Sequence, residues 1–178
     1  KFKIYCHEEL ADTITQLCML TLVKKFTSFL GDRILIKKVK DGEEKNAAGM
    51  KLTFFDIHST KTKQFGFRAG FEDGTRLTCL GDEPYKETAR PYAEGCDWLL
   101  SEAFCLDRDK EIFHPYEKHH STALDAGRLA QQLHVKNLVL YHTEDTCLSE
   151  RKESYTKEAA RCFDGNIFVP LDLERIRL

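Results

Sequence analysis

Four polar side chains stand at or near the ends of apolar, strand-like runs. His58 follows residues 50–57, Asp82 follows 76–80 and Gly81, Glu102 lies in 98–103, and His142 follows 138–141. Imidazole and carboxylate together suit zinc, manganese or iron, and a bridging carboxylate permits two ions roughly 3.5 to 4 Å apart. Ligands of layered α/β folds gather outside the carboxyl ends of strands, so residues sharing that position imply one metal centre. Taken singly, each has an ordinary role: a hydrogen-bonded surface histidine, a Gly-Asp turn, an uninformative glutamate. Their common position is what groups them.

The elements that must carry these residues follow from periodicity. Residues 1–6 and 34–39 read as strands, and residues 8–30 as one helix covering a sheet through Leu10, Ile14, Leu17, Cys18, Leu20 and Val23, stopped by Gly31. Residues 41–49 read as a polar loop. Residues 65–71 and 76–80 alternate around Glu72-Asp73-Gly74-Thr75, a strong hairpin signal. Residues 119–133 form the clearest helix, with Ser121 or Thr122 as cap and Asp125 in the first turn. A second helix over 150–163 and a late strand over 167–169 complete the order.

Composition bounds the class. The chain has 178 residues, 42% apolar and 31% charged, which fits one globular domain and excludes disorder. Lys+Arg 27 against Asp+Glu 29 gives a net charge of −2, with no overall attraction to polyphosphate or anionic lipid. Lys37, Lys38, Lys40, Lys61 and Lys63 read as a solvated strand edge. No run approaches the roughly 20 apolar residues of a membrane span. Seven scattered cysteines, without a C-x-x-C pair, read as core thiols in a reducing cytoplasm.

The segments fall in a telling order: Phe55-Asp56-Ile57-His58, Phe65-Gly66-Phe67-Arg68, Leu80-Gly81-Asp82, Leu100-Ser101-Glu102-Ala103, His120-Ser121-Thr122-Ala123 and Leu138-Val139-Leu140-Tyr141-His142. Over about residues 50 to 145 this series resembles the second half of the metallo-β-lactamase superfamily, in its ribonuclease Z-like branch. The resemblance implies an αββα sandwich and two divalent metal ions, zinc first, with manganese or iron as alternatives. It places His58, Asp82 and His142 at metal-ligand positions, Asp82 bridging. It also makes His120 the group that serves the leaving oxygen, with Glu102 orienting a neighbouring histidine. The implied reaction is hydrolysis of a phosphodiester, or of another small substrate, by a metal-bridging hydroxide.

The H-x-H-x-D-H motif of that superfamily is absent from the chain. The expectation is therefore a single domain, 1–178, forming the C-terminal part of a longer hydrolase, with apolar surface open to a homodimer partner. Only 23 residues separate His58 from Asp82, room for a hairpin but not for a long RNA-holding arm, which leaves nucleic acid open as a partner. Two other readings stand beside it: a non-catalytic docking domain of the same fold, and an unrelated α/β domain whose strand ends hold a small anion without metal.

Overall fold

The computed structural model describes residues 1–146 and 148–178, so Cys147 lies outside the described residues. The chain forms two compact units, residues 1–43 and 44–178.

In the first unit, β1 (Phe2–Cys6) pairs in parallel with β2 (Ile34–Lys38), and α1 (Glu8–Thr21) makes the crossover between them. His7 caps α1 by accepting the Leu10 amide at 3.3 Å, and Glu8 and Glu9 occupy the first turn where the helix dipole favours anions. The single helix expected over 8–30 is broken. Leu22 and Val23 are extended, and α2 (Lys24–Thr27) is one further turn. The hydroxyls of Thr13, Thr15 and Thr21 bond back to carbonyls four residues earlier, a competition that weakens continuation of a helix. The expected apolar stripe is also rotated. Ala11 is buried and Ile14 and Cys18 half-buried, whereas Leu10, Leu17, Leu20 and Val23 are exposed.

The second unit is built on seven strands: β3 (Glu44–Ala47), β4 (Met50–Asp56), β5 (Phe65–Gly70), β6 (Arg76–Cys79), β7 (Trp98–Glu102), β8 (Asn137–Tyr141) and β9 (Asn166–Phe168). They lie side by side in that order, antiparallel from β3 to β6 and parallel from β6 to β9. Between β6 and β7 a short 3₁₀ turn leads into α3 (Arg90–Ala93). Between β7 and β8 lie α4 (Lys110–Phe113) and α5 (Ala123–Gln132), and α6 (Arg151–Ala159) precedes β9. β3 falls within the expected polar loop. Ala48 and Gly49 both take positive φ, 52° and 76°, the two-residue turn whose twist suits a hairpin, and the turn recruits an otherwise unremarkable Glu-Lys-Asn-Ala as an edge strand.

The core includes Phe55, Leu99, Leu106, Leu133, Leu138, Leu140 and Tyr155, all essentially without exposed surface. Helices α5 and α6 approach closely at Gly127, where an added Cβ would lie 2.6 Å from the Ala159 carbonyl oxygen. Glu158 of α6 is buried, and its Oε1 accepts the Asp107 amide at 2.8 Å and the Leu124 amide at 3.1 Å. It thereby satisfies a free amide at the start of α5. Among the described cysteines, Cys6, Cys96 and Cys105 are buried and Cys18, Cys79 and Cys162 half-buried, all unpaired.

One topological consequence positions the site. Because β4 and β6 are both antiparallel to β5, they run in the same direction, which is also that of β7 and β8. Residues 58, 82, 102 and 142 therefore emerge along one edge of the sheet. β6 sits at the centre, with β4 two strands away on one side and β8 two strands away on the other.

Candidate metal centre

Asp82 is delivered by a turn that needs glycine. Gly81 has φ 84°, and an added Cβ there would come within 2.9 Å of the Ile57 Cδ1 atom. The Tyr141 hydroxyl, on β8, donates to the Gly81 carbonyl. The next residue on each chain segment then meets the other: His142 Nε2 is 3.1 Å from Asp82 Oδ1. His142 itself has φ 55°, a left-handed backbone in which histidine is enriched among non-glycine residues.

His120 comes from the turn before α5. Its amide donates to the Pro115 carbonyl at 2.9 Å, and the Ser121 amide donates to Glu102 Oε1 at 2.6 Å. Thr122 and Asp125 then form a reciprocal capping box, with Asp125 also accepting from the Tyr116 hydroxyl. This helix begins at Ala123 rather than 119, because His119 is left-handed at φ 58° and Thr122 serves as the cap. The Phe104 ring stacks on the His120 imidazole with centroids 5.1 Å apart.

The result is a dense polar knot. Asp82, His120 and His142 each offer a ligand atom within 4.8 Å of the others. His120 Nδ1 lies 3.9 Å from Asp82 Oδ1 and 3.5 Å from Glu102 Oε2. Asp82 Oδ1, Glu102 Oε2 and His120 Nδ1 are all buried without a hydrogen-bond partner, the approaches among them being too long or poorly directed for one. Buried polar atoms left in this state are costly, and a cation beside the two carboxylate oxygens would satisfy both. Two imidazoles and a carboxylate are the donor set expected for a divalent transition metal with an open coordination position.

The electrostatics are correspondingly perturbed. Burial pushes the Glu102 carboxyl up to about 7, against the opposing pull of the Ser121 hydrogen bond. Burial also lowers His120, with the charges of Lys61 and His142 adding to it. Lys61 Nζ lies 3.3 Å from His120 Nε2, and a lysine ammonium can only donate. This assigns the imidazole proton to Nδ1, facing Glu102 and Asp82.

The structure thus brings together Asp82, Glu102, His120 and His142 of the residues expected from sequence. His58 stands outside this cluster. It is exposed, its backbone is left-handed at φ 53°, its amide donates to Asp56 Oδ1 at 2.7 Å, and its carbonyl accepts from Lys86. Of the adjacent pair His119-His120, only His120 is buried. Lys38 fits the solvated edge expected of the basic strip, paired with Glu8 and Asp12 at 3.0 and 2.9 Å. Lys61 does not, since it reaches the site.

Sequence reasoning missed three contributors. Phe104 follows Glu102 as an ordinary apolar residue, and Tyr141 reads as the end of a strand. Glu83 directly follows Asp82 and carries no local signal, yet it is buried at 3% exposure. It accepts from the Ser59 hydroxyl and from the Thr60 amide at 3.0 Å. Burial alone would raise this carboxyl, but those bonds outweigh it and hold it below the usual glutamate range.

No protein-family model matches the chain. A ribonuclease Z of Thermobifida fusca is 37% identical over 90 residues, 51% of this chain and 28% of that protein. A ribonuclease Z of Streptococcus suis is 29% identical over 206 aligned positions, 99% of this chain and 63% of that protein. The crystal structure of the metallo-β-lactamase-fold protein YhfI from Bacillus subtilis superposes with a TM-score of 0.70 at 22% identity, covering 94% of this chain and 62% of that one. Fold and strand-end site together define a chain of the metallo-β-lactamase fold. In sequence it resembles ribonuclease Z. The chain spans less than two thirds of the length of each of these proteins.

Proposed function

We propose that this chain contributes the metal-binding and proton-transfer half of a metal-dependent hydrolase acting on a phosphodiester, the bond class cleaved by its ribonuclease relatives. The observation that carries the reading is the cluster of Asp82, His120 and His142, with unsatisfied buried atoms on Asp82, His120 and the adjoining Glu102. Asp82 and His142 would hold the ion, and His58, at the same sheet edge, is the further ligand the reading requires. A divalent cation bound there, zinc first and a second ion beside it, supplies Lewis acidity and a water acidic enough to deprotonate near neutral pH.

The remaining work falls to the chain. His120, stacked against Phe104 and fixed through the Pro115 carbonyl, would serve the departing oxygen as proton donor. Glu102, gripped by the Ser121 amide, orients that imidazole and balances its charge when it is protonated. Glu102 is itself buried, so this interaction is shielded from water. Among the described residues no helix is long and apolar enough to cross a membrane, and the described thiols suit a reducing, cytoplasmic setting.

The test is metal content and diester hydrolysis of protein purified without chelator. Bound zinc or manganese with cleavage of bis(p-nitrophenyl) phosphate, both lost in Asp82→Asn, supports the reading. Absence of metal and of cleavage in the wild type would leave the non-catalytic docking reading in its place.

A further inference from the structure

The loop after β4 carries an anchor that the metal cluster does not use. Besides Ser59 and Thr60, the Lys61 amide donates to Glu83 Oε1 at 3.4 Å, and Lys86 Nζ lies 3.9 Å from Oε2. The Thr60 hydroxyl also meets His119 Nδ1 at 3.2 Å, tying the same loop to the turn that carries His120. A buried carboxylate gripping consecutive residues of a loop is a rigid clasp, since each bond is charge-assisted and expensive to leave unmade.

What the clasp presents is a lysine. Lys61 is the exposed residue of this loop that turns its ammonium onto the site, 3.3 Å from His120 Nε2. It forms no ion pair among the described residues, in contrast to Lys86, whose charge is answered by Glu83. An ammonium left without a counter-charge beside a desolvated imidazole and a metal-competent cluster is electrostatically complementary to an anion. A second ammonium, Lys118, lies 5.2 Å over the Phe104 ring that stacks on His120.

We propose that Lys61 is the specificity-determining cation of this site, taking a non-bridging oxygen of a phosphate diester, and that Glu83 is the positioning residue that presents it. The inference rests on the phosphodiester reading above for its substrate, but the anion site can be tested apart from it. Lys61 sits on the flank of the reacting bond, so its attraction acts on ground state and transition state alike. Such uniform binding appears in KM rather than kcat.

The experiment measures inorganic phosphate binding by calorimetry at several ionic strengths, together with steady-state kinetics on bis(p-nitrophenyl) phosphate and on the neutral ester p-nitrophenyl acetate. Lys61→Ala is expected to weaken phosphate about tenfold and flatten its salt dependence. Diester KM should rise by a similar factor, with metal content and neutral-ester KM unchanged. Lys61→Arg restores most of the affinity. Glu83→Gln, and Ser59→Ala where the former fails to fold, should reproduce the phosphate loss with Lys61 still present. Phosphate affinity and diester KM unchanged in Lys61→Ala would overturn the proposal while leaving the hydrolase reading intact. Weakened phosphate binding in a protein that cleaves no diester would instead keep the anion site and remove the hydrolase reading.

Discussion

The Tyr141 hydroxyl donates a hydrogen bond to the Gly81 carbonyl, joining the ends of β8 and β6 one residue before each contributes a candidate ligand. The bond spans two strand positions across β7 and draws Asp82 and His142 to 3.1 Å. Tyr141 is thus an outer support of the candidate metal centre, held in its phenol form because burial raises its pKa. Removing such supports commonly weakens metal affinity 10- to 100-fold. Tyr141→Phe is expected to lower zinc affinity by about tenfold, measured by competition with a chromogenic chelator, while the fold persists by circular dichroism.

Metal should stabilise the fold by mass action. At a free concentration 100 times its Kd, an ion that binds only the native state adds about 2.7 kcal/mol. Chelator-treated protein titrated with zinc should show a rising Tm, and His142→Asn should abolish the rise. Asparagine suits the left-handed backbone at this position, so a lost shift reports the imidazole and not a strained chain.

His58 is tested in the same assay. His58→Asn keeps the φ of 53° at the end of β4. If His58 completes the ligand set, this change weakens zinc binding at least tenfold. Unchanged affinity would place His58 outside the metal site.

Asp97 sets an acid limit on stability. Its carboxylate accepts from Lys136 Nζ at 2.7 Å and from the Arg76 amide at 2.8 Å, and these bonds, Lys136 foremost, hold its pKa below the usual range. The stabilisation is therefore present above the ordinary aspartate pKa of about 3.9 and is lost as pH falls through the lower folded value. Asp97→Asn should cost roughly 1 to 2 kcal/mol in urea unfolding at pH 7 and flatten the decline below pH 4.

Gly127 fixes the spacing of α5 and α6. With the Ala159 carbonyl 2.6 Å from an added Cβ, Gly127→Ala must push backbone against backbone. The expected cost is about 1 to 3 kcal/mol by urea denaturation, despite alanine's better helix propensity. The same shift would pull Glu158 away from the Leu124 amide.

Much of the second unit was legible in the sequence because alternation, the Asp73-Gly74 turn and the Thr122 cap are local signals that tertiary packing reinforced. Asp82, Glu102 and His142 were found the same way, as polar residues interrupting apolar runs. What escaped depended on contacts between segments far apart in the chain. Glu83 bonds residues more than twenty positions earlier, and nothing local distinguishes it from a turn glutamate. Leu22-Val23 continues an apolar pattern and so hid the end of α1, while β3 has the composition of a loop and exists by pairing with β4.

The left-handed backbone at His58 and His142 also shapes what mutation can do to this chain over time. A bend at φ near 55° accepts asparagine, aspartate or glycine but strains valine and isoleucine. A lineage released from selection for metal would lose the imidazoles while keeping the bends. Its descendants would carry short polar residues or glycine at 58 and 142, because the backbone there admits little else.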